Sequence, residues 1–419
     1  MILCSPPFTI TLWYTYVVHG GSVLSLLAEF RHAGTLAVIG HVWRPVFWGS
    51  RTAWTMLLIY GTVQLALMKV LPGRTVQGPV TPGGNIPVYK VNGLFAFIAT
   101  LALYLAASFG LGLFPAAVIY DHFGELLGAL NLFSIVFCAF LYVKGRTRPS
   151  NCDSGGTGSI VFDYFWGMEL HPVILGWDVK MFTNCHFGMM GWPLILISFA
   201  AAQYSRHGRL SHAMLASIGI QFIYLAKFYW WEAGYLRSLD ITHDRAGFYI
   251  CWGCLAWLPS IYTSSTLYLV DHSLSLRALP AALIFAAGTV CVLVTYLADE
   301  QRQRVRETDG RTLIWGKAPV LIVGRYVTAG RGQRQNLLLA SGWWGLARHF
   351  HYVPEALCGF LWILPAGFEN LLPYFYLIFL AILLPDRAIR DDKRCAAKYG
   401  EDWEVYRNAV PYWAIPGII

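Results

Sequence analysis

The stretch Tyr229-Trp-Trp-Glu-Ala-Gly-Tyr-Leu-Arg-Ser-Leu-Asp-Ile-Thr-His-Asp-Arg-Ala-Gly-Phe248 concentrates groups that could move a proton. Glu232, Asp240, His243 and Asp244 stand there among aromatic residues. If the stretch is helical, Asp240, His243 and Asp244 share one face at i, i+3 and i+4. A carboxylate in apolar surroundings keeps its proton to higher pH, and that is what a general acid needs. The structural alternative is a network in which Arg237 and Arg245 pair with the same acids.

A second set lies toward the C-terminus. Arg302 and Arg306 are spaced i, i+4. Arg390, Asp391, Arg394, Lys398 and Tyr399 are spaced for one or two faces of a helix, and Trp403 and Tyr406 extend the stripe. Such a cluster set against apolar sequence costs solvation unless it binds something charged and partly aromatic. Arg and Lys suit phosphates, Asp suits ribose hydroxyls and Tyr suits stacking, so a nicotinamide dinucleotide fits. The alternatives are snorkelling anchors at a membrane surface for the two arginines and an interfacial amphipathic helix for the stripe.

The elements that position these residues must be membrane helices. The chain is 56% hydrophobic and 13% charged, with mean hydropathy +0.50, whereas a soluble domain carries about 25% charged residues. The expected class is all-α: a polytopic integral membrane protein with about ten transmembrane helices. Apolar runs place them near 8–29, 53–71, 94–114, 124–143, 187–204, 211–230, 246–270, 277–298, 352–367 and 370–385. The last two form a short helical hairpin around Pro365 and Gly367. Met1-Ile-Leu-Cys-Ser-Pro-Pro7 lacks the basic start of a cleavable signal, so the first span is expected to act as an uncleaved anchor.

Net charge is +8, with nine basic residues between Arg302 and Arg348 and six between Arg387 and Arg407. In a membrane protein this reads as the positive-inside rule rather than nucleic-acid binding. Segments 299–350 and 386–419 then share the cytosolic side with the N-terminus and loop 144–186, and loop 30–52, with Arg31, Arg44 and Arg51, breaks the rule. Nine cysteines, several within apolar runs, exclude a disulfide framework. The lone Cys251-Trp-Gly-Cys254 reads as packing, and no metal site is expected. The Gly/Pro-rich stretches at 78–90 and 153–158 read as turns, since a phosphate cradle needs a strand before it and a helix after it. There is no internal repeat, and 1–419 reads as one membrane domain.

Several long motifs carry a resemblance. Trp166-Gly-Met-Glu-Leu-His171, Phe182-Thr-Asn-Cys-His-Phe-Gly188, Trp230-Trp-Glu-Ala-Gly234, His243-Asp-Arg-Ala-Gly-Phe-Tyr-Ile-Cys-Trp-Gly-Cys254 and Trp343-Trp-Gly-Leu-Ala-Arg-His-Phe-His-Tyr-Val-Pro-Glu355 are similar to the sterol reductase family. The match runs from the Gly78-Pro loop to the Ile415-Pro-Gly-Ile-Ile419 ending and looks closest to its plant-type Δ7 branch. The C14 branch typically has Pro-Asn-Tyr in place of Phe350-His351-Tyr352.

The resemblance implies NADPH-dependent reduction of the C7=C8 double bond of Δ5,7-sterols, by protonation and then hydride transfer. It implies a cofactor site at Arg302, Arg306, Leu339, Trp344, Arg348, His351, Tyr352, Asp391, Cys395, Lys398, Tyr399 and Tyr406, within a cytosol-facing part at 299–419. The sterol pocket would lie in 1–298, with the proton donor among Glu232, Asp240, His243 and Asp244. Animal members tend to have Lys at the position of Arg302 and Asn at that of His351; charge and hydrogen-bonding capacity are kept. A sterol substrate, the lipid bilayer and the endoplasmic reticulum membrane are implied, with room for other sterol-biosynthesis enzymes as partners. Reduction at C14 and a non-catalytic sterol binder are the alternatives. The ending Lys398-Tyr-Gly-Glu-Asp-Trp-Glu-Val-Tyr406 also resembles membrane methyltransferases acting on isoprenylated cysteine, which share that segment alone.

Overall fold

A computed structural model describes residues 1–272, 276–328 and 332–418; Ile419 of the expected ending lies outside them. Helices dominate. Among the described residues seven are long and apolar enough to cross a membrane: Arg51–Val70, Gly93–Gly110, Phe123–Thr147, Met181–His207, His212–Trp230, Ala278–Glu307 and Leu372–Tyr399. The count rises to eight if Ser5–Val18 and Val23–Ala33 form one broken span.

The expected count of about ten is therefore not met among the described residues, for three physical reasons. The 8–29 run bends by 101° between its halves, where Gly20 and Gly21 adopt φ of 55° and 81°, a region open to glycine at little cost. A Cβ on Gly21 would come within 2.5 Å of Asn370 Nδ2, so the corner is also a close contact. The 246–270 run is a buried π-helix, Phe248–Tyr262, followed by a separate short helix, Ser264–Leu269. Pro259 inside it offers no amide hydrogen to the ladder. Finally, Tyr352–Ala366 forms the first arm of the expected hairpin but is short: at 1.5 Å per residue it reaches about 22 Å, less than a hydrocarbon core of about 30 Å. The second arm, Phe375–Tyr399, runs well past the expected end at 385 and carries the basic stripe out of the apolar region.

The all-α expectation also misses three two-stranded antiparallel ribbons: β1 (Arg74–Gln77) with β2 (Val88–Val91), β3 (Val173–Ile174) with β4 (Trp177–Asp178), and β5 (Leu321–Thr328) with β6 (Gly332–Leu339). In the third, Leu321 opposes Leu339 and Thr328 opposes Gly332. The run Leu321-Ile-Val-Gly-Arg-Tyr-Val-Thr328 is rich in β-branched residues, which suit a pleated strand.

Loops gather at two ends of the bundle. At one end Glu232 meets Gly93, Arg245 meets the carbonyls of Gly155 and Met168, and Asp240 and Asp244 meet Arg387 and Arg390. At the other, Asn370 donates to the Gly20 carbonyl at 3.3 Å and Arg206 pairs with Asp271 at 2.6 Å. The loops expected on the N-terminal side thus share one end of the bundle. The core between is aromatic: Trp192 sits edge-on to Trp362 at 5.8 Å, and its indole N–H donates to Gln221, which donates to Thr266. All nine cysteines are free, Cys251 and Cys254 both buried.

Candidate functional site

One cavity of about 1850 Å³ opens at the loop-rich end and reaches into the bundle. Its inner wall is apolar and aromatic: Trp192, Trp252, Trp257, Tyr262, Phe375 and Phe379. Its outer wall is basic, with Arg302, Arg306, Arg334, Arg394 and Lys398. The Phe375–Tyr399 helix runs along both. Phe375, Phe379 and Ile382 face the inner chamber, Arg387 and Arg390 the junction, and Asp391, Arg394 and Lys398 the outer cleft. From Phe379 to Lys398 the helix rises about 28 Å, so the cavity joins two chemically distinct rooms along one rod.

At the junction, charges are matched. Asp240 pairs with Arg387. Asp244 Oδ1 accepts from Arg390 Nη1 at 2.7 Å and from His243 Nδ1 at 2.8 Å. Arg390 also reaches the Tyr249 hydroxyl at 3.0 Å. Burial alone would raise the fully enclosed Asp244 carboxyl, but the His243 hydrogen bond and the Arg390 and Arg387 charges hold it below the usual range. Beneath this loop Lys180, buried, donates to the carbonyls of Ile241 and Asp244 at 2.8 and 2.7 Å. Burial lowers its ammonium to about 8 against the pull of Asp178, Asp244 and Asp240.

This corrects three sequence expectations. The local helix, Leu239–Thr242, stops before His243, whose φ is −131°, so Asp240, His243 and Asp244 do not share a helical face. The acids are neutralised by Arg387 and Arg390 and not by Arg237 or Arg245; Arg245 binds backbone carbonyls instead. Asp240 and His243 line the cavity, whereas Glu232 and Asp244 do not. The Glu232 carboxylate accepts from the Gly93 amide at 2.7 Å, at the start of the Gly93–Leu105 helix, where a negative charge meets the positive end of the dipole. Any Cβ on residue 93 would lie 2.8 Å from that carboxylate, so glycine makes the approach possible. Burial nevertheless raises Glu232 to about 7, against the Gly93 hydrogen bond and the Arg74 charge.

In the outer cleft, all twelve residues that the resemblance assigns to a cofactor come to the wall of the same cavity. The Arg302 guanidinium lies 3.9 Å over the Trp344 ring and 3.4 Å from Asp299. Trp344 is fixed by its indole N–H to the Ala298 carbonyl at 2.7 Å, and its ring packs 5.0 Å from His351. The buried His351 Nδ1 has no partner among the described residues, and burial, with the Arg302 charge, pushes the ring's pKa well down. Arg306 spends only one long bond, 3.4 Å to the Leu337 carbonyl. Tyr406 donates to the Leu339 carbonyl at 3.2 Å and Asn336 donates to the Tyr399 hydroxyl at 3.1 Å. Asp391 pairs with Arg394 at 2.5 Å, and the Cys395 thiol contacts the same carboxylate at 3.9 Å. Arg348 also reaches the wall, but its Nη1 is spent on the carbonyls of Val410 and Pro411 at 2.8 and 3.0 Å, which fasten the C-terminal tail.

Sequence reasoning passed over other wall residues. Tyr326 and Asn336 come from the β5–β6 ribbon, whose β-branched run bounded by glycines was the available signal. Tyr224 also lines the cavity, and its hydroxyl donates to the half-buried Glu355 carboxylate at 2.8 Å. Lys227, one helical turn on, lies 3.8 Å from Asp299. No group of three or more His, Cys, Asp or Glu among the described residues could hold a metal ion.

Residues 1–419 match the family described as "Ergosterol biosynthesis ERG4/ERG24 family". The chain is 49% identical over 415 residues to 7-dehydrocholesterol reductase of Arabidopsis thaliana, covering 99% of this chain and 95% of the relative. It is 37% identical over 373 residues to the 7-dehydrocholesterol reductase of Xenopus laevis, 87% and 79% of the two chains. It is also 36% identical over 430 residues to a Delta(14)-sterol reductase of Methylotuvimicrobium alcaliphilum, 100% and 93% of the two chains. The chain belongs to this sterol reductase family.

Proposed function

We propose that this sterol reductase uses NADPH to reduce the C7=C8 double bond of Δ5,7-sterols, in the endoplasmic reticulum membrane. The observation that carries the reading is the single cavity with an apolar aromatic chamber at one end and a surplus of cations at the other. A sterol and a phosphorylated dinucleotide need those two environments side by side. The 49% identity to the Arabidopsis enzyme, against 36% to the bacterial C14 enzyme, favours C7 over C14.

The donor set of the cleft fits a dinucleotide. Arg306 and Lys398 have no carboxylate within 4.0 Å among the described residues, so they are free for phosphate oxygens. Asp391 suits a ribose hydroxyl, and the Trp344–His351 pair forms an aromatic shelf. When bound, NADPH supplies hydride.

The chain's own residues must supply the rest. A carbon–carbon double bond with no carbonyl to polarise it is a poor hydride acceptor, so it is protonated first, at C8, and the conjugated C5=C6 bond spreads the resulting allylic cation over C5 to C7. The faces of Trp252 and Trp257 and the excluded water of the chamber suit that cation. Of the three carboxylates in the Tyr229–Phe248 stretch, Asp240 alone lines the cavity, and it is ion-paired with Arg387. It therefore acts as a negative counter-charge at the junction. The proton comes from a neutral donor on the wall: Tyr224 passes its hydroxyl proton to C8 while a protonated Glu355 carboxyl replaces it across their hydrogen bond, which leaves the negative charge on Glu355.

The test is the sterol profile of a yeast strain that accumulates 5,7-diene sterols, read by gas chromatography–mass spectrometry after expression of this chain. Δ5-sterols without the C7=C8 bond are expected. An unchanged profile with verified membrane expression sinks the C7 assignment, and rescue of a C14-reductase-deficient strain would establish the other branch. In the same strain Tyr224→Phe is expected to lose turnover with dinucleotide affinity kept; wild-type turnover would remove Tyr224 as donor.

A further inference from the structure

The β5–β6 ribbon has a face directed at the cleft. Side chains alternate across a strand, and on β6 Arg334, Asn336 and Leu338 line the cavity while Gln333, Gln335 and Leu337 do not; the alternation ends at Leu339, which also reaches the wall. Tyr326 of β5 stands directly opposite Arg334 in the register, which places their side chains on the same face as immediate neighbours. The ribbon is clamped to the helices that follow. The Arg325 side chain and amide both bind Asp402, Asn336 binds Tyr399, and Tyr406 binds the Leu339 carbonyl. Gly324 lets it lie flush, since a Cβ there would come within 2.8 Å of the Tyr399 ring. Across the cleft the Lys398 ammonium sits 3.9 Å over the Tyr326 ring. Two cations thus flank Tyr326 at the outer end of the cavity, Lys398 over its ring and Arg334 opposite it in the strand register. Neither has a carboxylate within 4.0 Å among the described residues.

Position along the Phe375–Tyr399 helix orders the cleft. A nicotinamide ring must reach the junction near Arg387 to meet a sterol, and Lys398 lies eleven residues farther out, about 16 Å along the axis. The adenosine half of an extended dinucleotide comes to lie there. We propose that Arg334 and Lys398 grip the 2′-phosphate that distinguishes NADPH from NADH, so that the ribbon is the element that selects the phosphorylated cofactor. This rests on the dinucleotide reading above and adds a specificity residue, Arg334, to it. A charged donor fits the site because the terminal phosphate carries close to two negative charges and takes charge-assisted hydrogen bonds from both sides.

The test is equilibrium binding of NADPH and of NADH to the purified full chain in detergent, followed by the fluorescence of the reduced nicotinamide. Wild type is expected to bind NADPH more tightly. Arg334→Ala should lose about tenfold in affinity for NADPH and keep its affinity for NADH within about twofold. Arg334→Lys should recover most of the loss. Arg304→Ala, which removes an exposed arginine paired with Glu300 away from the cavity wall, controls for net charge and should change neither. Equal losses for the two dinucleotides, or none, would overturn the ribbon assignment while leaving the cofactor reading intact. A wild-type chain that binds neither dinucleotide would overturn both.

Discussion

The junction and the outer cleft lie on the same helix a few turns apart, yet they handle charge in opposite ways. At the junction Asp240 and Asp244 each take one guanidinium, from Arg387 and Arg390. In the cleft Arg306, Lys398 and Arg334 are left over, with Asp391 occupied by Arg394. Matched charge needs no ligand to be stable, whereas surplus charge beside a cavity does. The comparison separates a structural reading from a binding one, which the spacing of residues in the sequence could not do.

That contrast can be broken by substitution. The largest effect is expected from Arg390→Met, which leaves the fully buried Asp244 without its main cation. Such a loss costs about 3–5 kcal/mol, visible as a lower melting temperature in detergent, and adding Asp244→Leu should recover part of it. A variant that melts like wild type would show the junction pair to be dispensable.

Glu232→Gln comes next. The folded-state pKa of about 7 stands above the ordinary 4.5, so the folded chain holds a proton that the unfolded chain releases as pH rises between those values. Stability is lost through that window, and the cost is complete above it. The amide should therefore stabilise the chain near pH 8 by at most about 3 kcal/mol and change little near pH 4. Melts of both forms across pH decide this, and a gap independent of pH would contradict it. Arg306→Met should weaken NADPH binding by about tenfold or more and leave the melting temperature of the dinucleotide-free chain nearly unchanged. A large loss of stability instead would place Arg306 with the matched charges. The smallest effect belongs to Arg325→Ala, since the Arg325–Asp402 pair is 64% exposed on the arginine side, and less than about 1 kcal/mol is expected from the same melts.

What could be read from the sequence follows the same division. Charges within apolar sequence stand out because they are expensive there, so Asp240, Arg302, Arg306, Asp391 and Lys398 were found without any coordinates. Their partners were not, because Asp240 meets Arg387 and Asp244 meets Arg390 across 147 and 146 residues. Glu232 looked like a catalytic acid for the same reason that it makes a good cap: it is a carboxylate in apolar surroundings, and only the approach of Gly93 tells the two apart. Hydropathy located the apolar runs but not the corner at Gly20–Gly21 or the π-helical turn register of Phe248–Tyr262, neither of which alters composition. The β5–β6 ribbon was within reach, since β5 is rich in β-branched residues and β6 opens on Gly332, but its length is small beside the helices around it.

The most direct test of the central claim, one cavity in which hydride and proton meet a sterol at C7 and C8, is isotope tracing with the purified chain. A Δ5,7-sterol would be reduced in one reaction with NADPH deuterated at its transferable hydrogen and in another with ordinary NADPH in heavy water, and the products analysed by mass spectrometry and NMR. The account predicts deuterium from the cofactor at C7 and deuterium from the solvent at C8. Label delivered to C14 or C15 of a Δ14 substrate, with the Δ5,7-sterol left unreduced, would contradict it.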